Sequence, residues 1–294
     1  MKLLTTTLVL LFCHCGLVYS QPFYKDYNPS KENKSQTGSE IDLKGYSTTG
    51  FDLSAKQLPS QYLGHNLGVV YLKLSQLKAT TEKKDEFETT SDFKKRIESE
   101  FKKPILGPLT LTSIFAFKAK GTNTSYDADN QQLAVTCELS PVFVQNLSTE
   151  KIPEGLESVN WESEVIDRGS YEGTNAFGAT VEVSREEFYR YELALSNYDD
   201  FPTKKSSDGG FERVSFTTHL NVLPEQARIM KTSIGTLFIS KLTTPFSLTN
   251  ANYSAATFTS PLSTTTITFY VFANLIEIWF YDIDTGRILS KIKK

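Results

Sequence analysis

The residues of this chain that could do chemistry are acidic side chains and one histidine in its C-terminal half. Glu182 and Glu192 lie in strand-like segments, and Asp200 lies in a polar loop. His219 follows in the strand-like run SFTTHL. Two carboxylates that converge in space can hydrolyse a glycosidic bond, and a histidine can move protons. These residues allow a carboxylate-based hydrolase of cell-wall, glycan or lipid material, but the sequence does not separate them from the other acids, so catalytic residues stay unassigned.

Cysteine and histidine give little support to nucleophilic or metal chemistry. Cys137 alternates with apolar residues, so we predict a buried, inert thiol rather than a nucleophile. We interpret His219 as a hydrogen-bonded histidine at a strand end, and the other histidine outside the N-terminal segment is the distant His65. No HExxH, CxxC, P-loop, dinucleotide or G-x-S-x-G motif occurs. We therefore predict neither a metal site nor a cofactor.

Two acidic turns could in principle bind calcium. They are the stretch from Tyr126 to Asn130 and the stretch from Tyr281 to Gly286. Neither continues to the distal glutamate that an EF-hand loop requires, and Asp, Asn and Gly are ordinary turn residues. We therefore interpret both as plain turns.

The most sharply patterned helix is predicted over Thr89 to Phe101. Thr89 can cap it with Asp92 three residues later, and Pro104 ends it. Its apolar stripe of Phe93, Ile97 and Phe101 suits docking on a core, and Phe87 could contact Phe93 from outside the cap. The charged opposite face could be a partner surface, although a solvated face explains it better.

The helical period of residues 62–78 predicts a second helix, which a short linker would make the antiparallel neighbour of the first. Alternating residues 109–117 and 133–139 predict two strands, which we interpret as a long hairpin beneath the helix pair. Strand signals dominate afterwards. Further predicted strands are 179–183, 189–195, 214–216, 236–242, 255–258 and 265–272, with a brief helix from Pro224 and a last hairpin over 276–288.

The chain begins with the features of a secretory signal. Residues 1–20 carry Lys2, an apolar run and a small-residue cleavage site near Ser20. Residues 21–50 have the composition of a flexible polar tether. A net charge of −3 gives no support to nucleic-acid binding, and no later apolar run is long enough to span a membrane.

The segment DEFETTSDFKKRIESE, residues 85–100, resembles a recurrent part of bacterial exported proteins of unknown function. In those proteins a FET-type entry precedes an aromatic residue and an arginine on a helix. The matching residues here are Phe87, Glu88, Thr89, Phe93 and Arg96. The YDAD turn (126–129), NAFGATVEV (175–183) and EIWFYDIDTGRIL (277–289) are similar to later parts of the same proteins. The resemblance implies a bacterial envelope or secreted protein and carries no known catalytic or ligand-binding residues.

These observations predict an α+β fold, with an N-terminal helix pair on antiparallel strands and a strand-rich, antiparallel C-terminal region. We expect a helix-and-hairpin region over 51–150 and a strand-rich region over 151–294, either as two domains or as one. The favoured function is a non-enzymatic module, periplasmic or secreted, that binds an envelope protein or an extracellular ligand. The alternatives are the hydrolase and an assembly subunit that uses its edge strands.

Overall fold

The computed structural model describes residues 43–81, 84–142, 154–174, 178–208 and 211–294. The predicted signal sequence and residues 21–42 of the predicted tether lie outside the described residues. Residues Leu43–Lys294 form one compact unit, and strands from both halves of that stretch pair within the same sheet. No helix among the described residues is long and apolar enough to cross a membrane.

The described elements confirm an α+β fold. The helices are α1 (Leu67–Thr81), α2 (Thr90–Phe101) and α3 (Pro224–Met230). The strands are β1 (Ile114–Lys118), β2 (Asn123–Asp127), β3 (Gln132–Glu138), β4 (Ser140–Pro141), β5 (Glu157–Thr174), β6 (Thr180–Leu195), β7 (Lys204–Asp208), β8 (Phe211–Asn221), β9 (Ile234–Ser254), β10 (Leu262–Asp282) and β11 (Ile288–Lys293). A short 3-10 helix spans Tyr198–Asp200.

The larger sheet has β10 at its centre. Its order is β1-β9-β10-β6-β5-β4, and β11 pairs with the C-terminal part of β10. All pairs are antiparallel except β6 with β10, which are parallel over Leu262↔Ser184 to Ala273↔Leu195. The prediction of a purely antiparallel arrangement is therefore wrong at this pair. A parallel pair needs a long crossover, which the many residues between β6 and β10 provide.

The smaller sheet has the order β2-β3-β8-β7. The predicted hairpin between residues 109–117 and 133–139 is therefore wrong, because β1 pairs with β9 and β3 pairs with β2 and β8. Alternation along each strand reports a buried face, and it does not identify the neighbouring strand. The two sheets share one core, in which the rings of Phe216 and Phe238 lie 5.9 Å apart.

Several predicted short strands are parts of longer ones. β6 joins the predicted strands 179–183 and 189–195, and β9 runs on past Leu242 to Ser254. Pro245 lies where the β9–β10 register shifts, between Ala273↔Leu242 and Val271↔Ser247, so a local irregularity accommodates it. Residues 255–258 are outside any strand, which corrects that prediction. The last hairpin and the helix from Pro224 are confirmed.

Helix α1 begins later than its periodicity suggested. Gly64 has a φ of +71°, outside the helical range, and forms an isolated bridge with Phe117, so the chain becomes helical only from Leu67. Buried side chains of α1, among them Val70 and Leu74, join the core beneath the larger sheet's strands. The helix covers one face of β9, β10 and β6, which we call the helical face.

Helix α2 has the predicted cap, because the Thr89 hydroxyl accepts a hydrogen bond of 3.1 Å from the Asp92 amide. The predicted contact of Phe87 with Phe93 is wrong, since Phe87 is 88 % exposed. No residue of α2 is fully buried. Its docking on a 109–139 hairpin is also wrong. The last residue of its stripe, Phe101, packs against Phe246 of β9, with ring centroids 5.7 Å apart.

A bidentate ion pair holds α2 to its surroundings. Arg96 donates from Nε and Nη2 to the two carboxylate oxygens of Glu88, at 2.8 and 2.9 Å. Another guanidinium nitrogen donates to the Thr80 carbonyl in the last turn of α1. Two residues of the FET-type motif therefore have a structural role, which is to fasten the helix pair together.

Candidate functional site

The three acids singled out by the sequence do not converge. Glu182 and Glu192 lie on the same strand, β6, and a rise of about 3.3 Å per residue separates them by about 33 Å. Carboxylates that act together on a glycosidic bond lie about 5–9.5 Å apart. Asp200 ends the 3-10 helix, and its carboxylate binds the Lys294 ammonium at 2.7 Å. These three acids therefore form no catalytic pair.

Glu192 is a buried structural acid. The Ser158 hydroxyl lies 2.6 Å from its carboxylate, across the β5–β6 pair. On its other side Glu192 lies opposite Tyr270 of β10. Burial, and after it the charge of Glu192, raise the pKa of Tyr270. Two surface depressions of the described chain have lining residues that do not include Glu192.

Glu182 belongs to one of these depressions, with a volume of about 430 Å³, at the far end of the β5–β6 ribbon. It lies directly opposite Glu172 in the antiparallel register, and both side chains are exposed. The remaining lining residues are Ser170, Tyr171, Thr180 and Val181. This is the place where the described structure brings together a predicted candidate acid and a second carboxylate.

The histidines and the cysteine lie elsewhere. His219 is exposed near the end of β8, opposite Ala134. Buried His65 accepts from the Ala116 amide at Nδ1 and donates from Nε2 to the Thr49 carbonyl, both at 2.9 Å. Burial lowers the pKa of His65 more than its hydrogen bonds raise it. Burial raises the pKa of the Cys137 thiol to about 12, which makes it inert and confirms the prediction of a buried thiol.

In each acidic turn one carboxylate accepts hydrogen bonds from within the turn. Asp127 accepts from the amides of Asp129 and Asn130 and from the Asn130 side chain, which lowers its pKa. Asp282 accepts from the amide and hydroxyl of Thr285, at 2.9 and 3.0 Å. Within the described ranges, no group of three or more His, Cys, Asp or Glu side chains could hold a metal ion.

A run of aromatic side chains on the helical face is the most distinctive surface feature. We call the five half-buried residues Tyr46, Trp161, Tyr189, Tyr191 and Phe269 the aromatic surface. Their rings follow one another at centroid distances of 6.0 Å (Tyr46–Trp161), 6.2 Å (Trp161–Tyr191), 4.9 Å (Tyr191–Phe269) and 5.2 Å (Phe269–Tyr189). Each ring is therefore in contact with the next, and each keeps part of its area accessible.

The alternation of side chains along the strands and one β-bulge determine where these rings lie. Tyr189 and Tyr191 are two residues apart on β6 and so share a face, and Phe269 is directly opposite Tyr191 on β10. Trp161 lies at the register shift between Asn160 and Glu162, where an extra residue redirects a side chain. Gly68 near the start of α1 lets the helix approach Tyr191, since a Cβ there would lie 3.4 Å from the tyrosine ring.

The aromatic surface has a fixed base and an acidic rim. Buried Tyr71 of α1 packs its ring 4.9 Å from Phe269, and its hydroxyl lies 2.5 Å from that of Thr249. The exposed Glu162 and Glu164 lie directly opposite Tyr191 and Tyr189. Burial, and to a lesser extent the charge of Glu162, raise the pKa of Tyr46.

Sequence reasoning missed this surface. It predicted the strand over 189–195 that carries Tyr189 and Tyr191 but gave those side chains no functional role. The signal that could have revealed it is the tryptophan followed by two glutamates in Trp161-Glu162-Ser163-Glu164. Comparisons of the chain with protein-family models, with curated proteins and with solved structures each gave no match.

Proposed function

We propose that this protein is a non-enzymatic binding module of the bacterial envelope, and that the aromatic surface holds its ligand. The observation that carries the proposal is the continuous run of five half-buried rings on one face. Tyrosine and tryptophan dominate recognition surfaces because they supply large contact areas with little loss of conformational entropy. Four of the five rings, all except Tyr46, are on strands of the larger sheet, so the surface is held rigid before any ligand arrives.

The predicted signal sequence and tether support an envelope location. A polar segment at the mature N-terminus is common in exported proteins. The resemblance of residues 85–100 to bacterial exported proteins supports the same assignment.

Tryptophan fluorescence offers a direct test, because the chain contains two tryptophans in very different settings. Trp161 is half-buried on the aromatic surface, whereas Trp279 is fully buried beneath Lys291. A fluorescence titration with solubilised bacterial envelope fractions should therefore change the emission of Trp161 and leave that of Trp279 unchanged. Measuring the variants Trp161→Phe and Trp279→Phe separates the two signals.

A binding assay with substitutions provides the second part of the test. Trp161→Ala and Tyr189→Ala should each lower retention of the protein on envelope material by about tenfold, which corresponds to about 1.4 kcal/mol. The matched control is Phe258→Ala, which removes an aromatic ring that is 60 % exposed in the β9–β10 loop. Equal retention of all these variants would contradict the proposal.

The opposed acids Glu172 and Glu182 favour a second candidate, hydrolysis by two carboxylates at the tip of the β5–β6 ribbon. Directly opposed residues in an antiparallel pair have Cβ atoms about 5 Å apart, which is compatible with a retaining glycosidase. The variants Glu172→Gln and Glu182→Gln should each abolish hydrolysis of a glycan substrate if this candidate is right. Activity that survives both substitutions, or no activity in the wild type, would exclude it.

A further inference from the structure

We propose that the outer edge of β5 pairs with the same edge of a second copy of this chain, which goes beyond the ligand binding proposed above. Among the described strands, β4 pairs with that edge only at Glu157 and Ser158. Lys120 donates from its amide to the Asn160 carbonyl and from its ammonium to the Ser163 carbonyl. Beyond Ser163, β6 is the only described strand that pairs with β5. Such an unpaired edge is a template for another extended strand.

The first part of this unpaired edge is protected by its shape. Register shifts after Asn160 and after Val165 mark two β-bulges, which distort the edge. From Asp167 to Thr174 the register with β6 is regular, and we call this stretch the open edge. A regular edge strand presents unpaired amide and carbonyl groups at alternate residues along its outer side. The open edge is therefore the part of β5 that can accept a new strand.

The charges of the open edge fit a second copy in one antiparallel register. Only alternate residues turn their backbone groups outward, so the two-fold axis of such a pair passes through a residue. With Ser170 on the axis, Arg168 of each copy lies opposite Glu172 of the other, which makes two oppositely charged cross-strand pairs. Moving the axis to Gly169 or Tyr171 loses both pairs. The charges therefore favour the register centred on Ser170.

This register also relieves an unfavourable contact within the single chain. Glu172 and Glu182 lie directly opposite each other on β5 and β6, and both are exposed. Like charges directly opposite in an antiparallel pair are destabilising. In the dimer, Arg168 of the second copy lies on the other side of Glu172. Arg168 pairs with Glu186 of its own chain at 3.2 Å, and the five N–H donors of a guanidinium allow it to serve both carboxylates.

The other face of the open edge adds an aromatic contact. Tyr171 is 46 % exposed, although Val183, its partner on β6, is buried. In the register centred on Ser170, Tyr171 of each copy lies opposite Gly169 of the other, where no side chain competes with the ring. An aromatic residue opposite a glycine is a pairing that stabilises edge strands. Because one strand on one strand buries little area, we expect a weak, concentration-dependent dimer.

Charge reversal at the open edge tests the proposal. The chain without its predicted signal sequence is studied by sedimentation velocity from about 5 μM to about 1 mM, where the wild type should show a monomer–dimer equilibrium. Arg168→Glu and Glu172→Arg each place like charges opposite each other in the dimer. Each should therefore raise the dimer dissociation constant by about tenfold or more. The matched control is Arg213→Glu, which reverses an exposed arginine paired with Glu138 on the smaller sheet and should change nothing.

Mixing the two reversed variants separates lost pairing from a damaged fold. In a mixed dimer the introduced glutamate lies opposite the introduced arginine, and the native Arg168 lies opposite the native Glu172. The mixture should therefore dimerise within about threefold of the wild type. A wild type that stays monomeric, reversals without effect, or a mixture that does not dimerise would each overturn the proposal. Trp161→Ala should leave the dimer unchanged, so this test is independent of binding at the aromatic surface.

Discussion

The Ser158 hydroxyl lies 2.6 Å from the carboxylate of Glu192, on the neighbouring strand and in a fully buried setting. A buried carboxylate that loses such a donor keeps its desolvation cost without compensation. Ser158→Ala should therefore lower the free energy of unfolding by about 1.5–3 kcal/mol, measured by urea denaturation near pH 7. An unchanged unfolding midpoint would show that Glu192 does not depend on this hydrogen bond.

Ser240 is the matched control for that substitution. It is fully buried on β9, and its hydroxyl has no hydrogen-bond partner among the described residues. Ser240→Ala removes a buried hydroxyl that makes no hydrogen bond, so the free energy of unfolding should be unchanged or rise by up to about 1 kcal/mol. The contrast between the two serines separates a satisfied buried hydroxyl from an unsatisfied one.

His65 should make stability depend on pH in the mildly acidic range. Burial lowers its pKa in the folded protein, so the unfolded chain binds the proton more readily. The free energy of unfolding should keep its full contribution from His65 above the pKa of the unfolded chain, about 6.5. Below that pH it should decline by at most about 1.4 kcal/mol per pH unit. Urea denaturation at about pH 7.5 and pH 5.5 measures this difference while staying above the range in which carboxylates titrate.

Two glutamine variants assign this pH dependence to the buried ring. His65→Gln should remove most of the difference between the two pH values, whatever its effect on absolute stability. His219→Gln, at an exposed position on β8, should retain the difference. A pH dependence that persists in His65→Gln would place its origin elsewhere.

The Glu88–Arg96 pair should control local opening of α2. Arg96→Lys keeps the charge but loses the bidentate geometry and the bond to the Thr80 carbonyl. Because α2 buries none of its residues fully, its amides should exchange with solvent faster in this variant, as measured by hydrogen–deuterium exchange over Thr90–Phe101. Lys95→Ala removes a looser exposed pair with Asp92, at 3.8 Å, and should leave the exchange unchanged.

Gly286 should be intolerant of any side chain. Its φ is +72°, and a Cβ there would lie 1.9 Å from the Leu58 carbonyl oxygen. The two backbone segments are this close where the Leu58 amide donates a hydrogen bond to the Gly286 carbonyl. Gly286→Ala should cost about 3 kcal/mol or more in unfolding free energy, measured by denaturation. Gly155 has a similar φ of +69° with open space around it, so Gly155→Ala should cost only about 1–2 kcal/mol.

The capping and turn signals in the sequence predicted local structure correctly. The residues that form the Thr89 cap lie within a few positions of the start of the helix. The glycine of the last hairpin likewise lies within the turn that it permits. The residues of a strand do not show which other strand it pairs with. Ile114–Lys118 and Gln132–Glu138 are close in sequence, yet they lie in different sheets, because their partners come from β9 and β8.

The candidate site could be predicted only in part for the same reason. Trp161, Tyr191 and Phe269 become neighbours through one antiparallel and one parallel pairing, and neither register can be derived from the separate segments. Glu182 and Glu192 lie in strand-like segments, but the sequence does not show that both belong to the same strand, where ten residues of extended chain keep them apart.

The central strand of the larger sheet comes late in the order of the described elements. β10 begins at Leu262 in a chain of 294 residues, and β6, β9 and β11 all depend on it for pairing. Distant pairs such as Phe117 with Phe238 add a large loop-closure entropy to the cost of assembly. The larger sheet can therefore assemble only after β10 has emerged, so most of the described chain must be made before its hydrophobic core closes.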